Sequence, residues 1–151
     1  MYETALAETW ALFGDYACGS ETALTCAVST SPLTIEAQRA LNSSFATFGY
    51  GRDATTFVVI RGTSGQEQPL DPQALFTLIE GFDPLLLVAT DADATRLLAE
   101  AYRCALPLDD ASRAFGRTVV AFRNFEALME SAQTKQVAWA LLKRLPKFGE
   151  Y

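Results

Sequence analysis

Hydrophobic positions along this chain follow two periods in turn. From 3 to 13, Leu6, Trp10 and Phe13 recur every three or four residues, which predicts one face of a helix, with Gly14 as its stop. A short apolar run follows at 23–28 around Leu24 and Cys26, the length of an edge strand, and Ser29-Thr30-Ser31-Pro32 breaks it. Thr34 is placed to cap a helix reaching about Phe48, with Ile35, Leu41, Phe45 and Phe48 turned inward and Gly49-Tyr50-Gly51 ending it. The run at 56–60 is continuously β-branched or aromatic, as expected of a strand buried on both faces.

The second half repeats this alternation. A polar loop at 61–66 precedes Asp71-Pro72, which opens a helix to Gly81 because proline fits a first helical position. Asp83-Pro84 is a turn, 85–89 a second buried strand, and Thr90-Asp91-Ala92-Asp93 leads into a helix to about Ala105. A loop through Pro107 reaches a strand at 118–122, then a helical turn around 126–130 and a last helix from Thr134 to Leu145, stopped by Pro146. Helices alternating with buried strands from residue 34 onward predict parallel pairing and an α/β/α architecture, with a small, mostly parallel central sheet of three buried strands and one edge strand. The expectation is a single domain over 1–151, with the N-terminal helix and edge strand in 1–31 and the α/β core in 32–151.

Composition narrows the chemistry. Half of the 151 residues are hydrophobic and a fifth charged, ample for a packed core. The apolar runs are too short to span a bilayer, and Met1-Tyr2-Glu3-Thr4 lacks the start of a signal peptide, so a cytoplasmic location without membrane contact is expected. Three cysteines, Cys18, Cys26 and Cys104, form no Cys-x-x-Cys pair and there is no histidine; neither a metal site nor a cofactor is expected. Charge is uneven: 1–109 carry five basic and fourteen acidic side chains, whereas 110–151 carry seven basic and four acidic. The basic set (Arg113, Arg117, Arg123, Lys135, Lys143, Arg144 and Lys147) is a candidate nucleic-acid surface, although such sets are more often solvated helix faces.

Candidate site residues follow the strands. Arg61, Thr63 and Ser64 form a polar loop able to cradle an anion, or simply a surface loop. Asp91 and Asp93 sit where ligand groups gather in open α/β sheets, and equally where a helix takes its cap. Thr63 or Ser64 as a nucleophile has no histidine base and no Gly-x-Ser-x-Gly elbow. Arg123, Asn124 and Phe125 occupy the loop after the last strand. Phe45, Phe48, Phe122 and Phe125 are core residues in the plain reading and a base-stacking slot in the sharper one.

Two blocks resemble the uracil-DNA glycosylase superfamily. Residues 79–91 (Ile-Glu-Gly-Phe-Asp-Pro-Leu-Leu-Leu-Val-Ala-Thr-Asp) are similar to the helix-turn-strand before that family's middle segment. Residues 118–145 resemble its last strand, loop and helix, with Lys135 and Trp139 at offsets common in its small branches. The resemblance implies a strand-end pocket of Arg61, Thr63, Ser64, Asp91, Arg123, Asn124 and Phe125. Where the family carries a His-Pro-Ser-like turn this chain has Arg123-Asn124-Phe125, and no water-positioning acid follows its first strand. The resemblance therefore implies the fold without the reaction: a non-enzymatic module binding a protein partner, as does the psi subunit of the bacterial clamp loader, a non-catalytic relative. The alternative is a divergent glycosylase or nucleic-acid-binding domain that uses the Arg123 loop.

Overall fold

Helix ends in this chain are written by side chains that accept the first free amide hydrogens. In the computed structural model, which describes residues 2–65 and 67–149 (the backbone alone for 2–4), Thr34 caps α2 (Ile35–Thr47) and Asp71 caps α3 (Pro72–Phe82). Asp91 caps α4 (Ala92–Tyr102), Asn124 the short α5 (Phe125–Leu128) and Ser131 α6 (Ala132–Leu142). The first helix, α1 (Tyr2–Phe13), runs into a single 3₁₀ turn at Gly14–Tyr16. No described helix is long and apolar enough to cross a membrane.

Between the helices, β1 (Ala17–Gly19), β2 (Thr25–Ser29), β3 (Thr55–Val59), β4 (Leu86–Ala89), β5 (Asp110–Ala114) and β6 (Arg117–Ala121) form one sheet in the order β1-β3-β2-β4-β6-β5. The four inner strands are parallel, and β1 and β5 are antiparallel edges. The chain is thus mixed α/β with a mostly parallel sheet. The apolar run at 23–28, expected at an edge, forms β2 at the centre of the sheet with Thr25 beside both Thr55 and Leu86. Its residues are small, yet all five are buried, because the strand is covered on both faces.

Two hydrophobic clusters fill the two faces. On one, Cys26, Val28, Val58, Leu87 and Val119 meet α3 and α4, with Leu6 and Trp10 of α1 packed alongside. On the other, Ala27, Phe57, Val88 and Val120 meet α2, α5 and α6. Leu41, Phe45 and Phe48 turn inward as expected, but Ile35 is 63% exposed. Gly81 lets α1 and α3 approach closely: a Cβ there would lie 2.1 Å from Thr9 Oγ1.

The hairpin of β5 and β6 was not expected from sequence. Asp-Ala-Ser-Arg-Ala has little strand propensity, but Ala114 pairs with Arg117 across a two-residue turn in which Phe115 (φ 49°) and Gly116 (φ 81°) are both left-handed. At the start of β6 the buried Arg117 holds Glu80, Asp83 (2.6 Å) and the Pro84 carbonyl (2.8 Å), while Tyr102 donates to the same Glu80 at 2.7 Å. That network fastens the last strand to both α3 and α4.

Candidate functional site

Taking the parallel strands alone, the chain builds β2, steps to β3 on one side, then returns across β2 to β4. The crevice outside the carboxyl ends of β2 and β4, where the direction of winding reverses, is the ligand position in open α/β sheets. Here it is an open crevice of about 480 Å³ lined by residues 30–33, Arg61, Thr90, Asp91, Asp93, Asn124 and Glu126. Of the expected site residues it brings together Arg61, Asp91 and Asn124.

The other four are placed elsewhere. The Thr63 amide donates to the Asp15 carbonyl at 2.8 Å, and its hydroxyl to the same oxygen at 3.2 Å, which ties the loop to the 3₁₀ turn. Ser64 Oγ donates to Glu67 at 2.7 Å. Gln66, placed by the sequence in this loop, lies outside the described residues. Arg123 turns to Asp109: its amide donates to Oδ1 at 3.1 Å and its guanidinium lies 3.9 Å from Oδ2. Phe125 is fully buried, edge-on to Phe122 with ring centroids 5.0 Å apart. Phe45, Phe48 and Phe122 are buried as well, so the four rings are core and not an open stacking slot.

What fills the crevice's donor positions is the protein's own acid. Asp91 Oδ2 accepts from the Thr30 amide at 2.9 Å, and Oδ1 accepts from Thr30 Oγ1 at 2.6 Å and from the Ala94 amide at 2.8 Å. Glu126 Oε1 accepts from the Thr34 amide at 2.8 Å and from Thr34 Oγ1 at 2.7 Å. The loop 30–34 therefore gives its first and last amides to two carboxylates, Asp91 just past β4 and Glu126 in α5, groups that could otherwise hold an anion. Asn124 Oδ1 is similarly spent on the Ala127 amide, and the Asn124 backbone bridges to Asp91. At the end of β2, Ser29 Oγ is buried without a hydrogen-bond partner among the described residues.

Charge completes the picture. Arg61 faces three carboxylates in the crevice wall, Asp91, Asp93 and Glu126, so the lining carries a net charge near −2. Asp93 also pairs with Arg96 on the exposed face of α4 at 2.8 Å. The Arg61 amide donates to the Thr30 carbonyl at 3.1 Å, and its guanidinium has no hydrogen-bonding or ionic partner among the described residues. Comparison with protein-family models finds no match, and no curated protein matches the chain.

The expected basic surface is also largely neutralised in place. Arg117, Arg123, Lys135 and Arg144 pair with carboxylates, and the Lys143 ammonium lies 5.9 Å over the Trp139 ring. Among the described residues no group of three or more Cys, Asp or Glu side chains is arranged to hold a metal ion. Sequence reasoning missed Thr30, Thr34 and Glu126 as a unit. The signal was the Ser-Thr-Ser-Pro break after 23–28, which marks the switch point only once that run is placed at the sheet centre.

Proposed function

We propose that this chain is a non-enzymatic interaction domain of uracil-DNA-glycosylase-like fold that binds a protein partner. The observation that carries this reading is the occupation of the crevice by Asp91 and Glu126: the Thr30 and Thr34 amides, two that could grip a ligand, are already given to internal carboxylates. Base excision needs a pocket that admits a flipped base and tolerates the flanking phosphates. A lining near −2, with Arg123 paired to Asp109 and Phe125 buried, works against both. The glycosylase-like component rests on the two resembling blocks, whose strands β4 and β6 pair side by side with Leu86 opposite Thr118.

The reading is tested by titrating the purified chain, at low salt, with fluorescently labelled single-stranded DNA containing uracil, beside affinity capture from native lysate. No saturable DNA binding and no excision are expected, together with a protein retained in stoichiometric amount. Salt-dependent DNA binding that Arg123→Ala weakens by threefold or more, on the order of 0.6 kcal/mol, would overturn it in favour of the nucleic-acid alternative.

A further inference from the structure

The two helical layers differ in how tightly they close. On the face covered by α1, α3 and α4, the helices pack directly on one another, and Gly81 permits a close crossing. On the other face, α2 and α6 share the second cluster and are tied at their rims by an ion pair and a ring stack. Near their starts Lys135 reaches Glu36 at 3.0 Å, and near their ends Phe48 stacks on Trp139 with centroids 5.3 Å apart. Between these ties lies a groove of about 270 Å³, floored by Phe125, Met129 and Leu142 and walled by Ala40 and Trp139. A larger hollow of about 570 Å³ lies on the opposite layer beside Phe76, Tyr102 and Phe115, whose rings pack against one another at 5.0–5.5 Å.

Charge around this groove is polarised, in a chain whose net charge is −6. Arg39 stands on its rim and also borders a shallow depression shared with Asn42, Ser43, Arg52 and Asp53. Neither the Arg39 nor the Arg52 guanidinium has an ionic or hydrogen-bonding partner among the described residues. At the opposite mouth, next to Met129, stand Glu126 and Glu130. The one open apolar groove between these helices thus has unpaired guanidinium groups at one end and carboxylates at the other.

We infer that the α2–α6 groove docks an acidic, apolar segment of a protein partner. A large aliphatic or aromatic side chain enters between Ala40 and Trp139, and a flanking Asp or Glu lies against Arg39 and Arg52. This rests on the interaction-domain reading and names the surface that reading needs. The volume suits one or two side chains, so apolar burial supplies a single anchor. The arginines supply direction: a carboxylate at the Glu126–Glu130 mouth is repelled, which fixes which way the segment runs.

The test is selection of a phage-displayed random-peptide library on the immobilised chain, followed by binding measurements on synthetic copies of the selected peptides. The expected peptides place Asp or Glu beside a large apolar residue and perturb the backbone resonances of Ala40, Met129 and Trp139. The Arg39→Glu, Arg52→Glu double variant, both positions being exposed, should weaken them at least tenfold, about 1.4 kcal/mol, with an unchanged melting temperature. Ser43→Trp, which crowds the rim from an exposed position, should block them. Peptides without acidic enrichment, resonance changes away from the groove, no selected peptide, or affinity indifferent to charge reversal would each overturn the assignment. Lysate capture by the same variants separates the two ideas. A partner still retained by the double variant and by Ser43→Trp leaves the interaction domain standing and removes this surface. Loss of capture by every form of the chain removes the reading beneath it.

Discussion

At the scale of single residues, burial has set the protonation of two groups in the first cluster. Desolvation pushes the Cys26 thiol up to about 12, with a smaller opposing pull from Arg117. Tyr102 is raised as well, by burial first and then by its hydrogen bond and proximity to Glu80. Both stay protonated in the folded chain at pH values where the unfolded chain ionises them, so the folded state binds more protons. The sign follows: the Cys26 contribution is fully present below the ordinary thiol value near 9 and is lost as pH rises from there toward about 12, and that of Tyr102 begins to be lost only above the ordinary phenol value near 10. Each group can steepen the alkaline loss of stability by up to ~1.4 kcal/mol per pH unit. Urea unfolding of Cys26→Ala across this window should show a lower starting stability and a shallower alkaline decline. Parallel curves for the two proteins would show that Cys26 does not govern that limb.

At the scale of elements, the crossing of α1 and α3 turns on one hydrogen atom. Alanine ordinarily favours a helix interior by about 1 kcal/mol over glycine. At Gly81, however, the added methyl would meet Thr9 at Oγ1 (2.1 Å), Cγ2 (2.9 Å) and Cβ (3.0 Å). Gly81→Ala should therefore lower stability by about 1–3 kcal/mol, the cost of overpacking. Thr9→Ala removes the two outer atoms, so in that background the same change should cost at least ~1 kcal/mol less, a coupling read directly from a double-mutant cycle by urea unfolding. Additive effects would place the strain elsewhere. No part of this contact was legible in the sequence, since Gly81 and Thr9 are distant in the chain and neither breaks its helical period. What was legible is what periodicity and capping encode. Thr34, Asp71 and Asp91 cap the three helices whose starts were expected there, and the β-branched run at 56–60 is a buried strand shifted by one residue. The edges escaped: β1 is three residues long, and β5 carries Asp110 and Arg113 because an exposed edge is protected by charge and not by apolar alternation. The site was half legible for a related reason. Arg61, Asp91 and Asn124 end their strands and so converge, whereas the turns of Arg123 to Asp109 and of Thr63 to Asp15 depend on neighbours remote in sequence.

At the scale of the whole molecule, the crevice separates a structural reading of its acids from a ligand-binding one. Asp91 follows β4 and Glu126 lies in α5, the helix entered from β6; both hold the loop that leaves β2, so together they tie the segments leaving three of the four parallel strands at one end. Residues kept for a ligand usually sit at a cost to stability, and removing them tends to leave the fold unchanged or firmer. Residues acting as a latch do the opposite. Asp91→Ala loses the α4 cap and charge-assisted bonds to Thr30, together about 3 kcal/mol, whereas Glu126→Ala, at a more exposed position, should lose about 1 kcal/mol. Because the two acids restrain the same loop, freeing it at one end lowers what the other is worth, and the double variant should lose less than the sum. Hydrogen exchange gives the local readout: the Thr34 amide should exchange faster in Glu126→Ala, and the Thr30 amide in Asp91→Ala, while amides at the β4–β6 centre keep their protection. Stabilisation on removing either acid, with unchanged exchange at Thr30 and Thr34, would mean that the carboxylates are held ready for a ligand, and the crevice would again be the place to seek one.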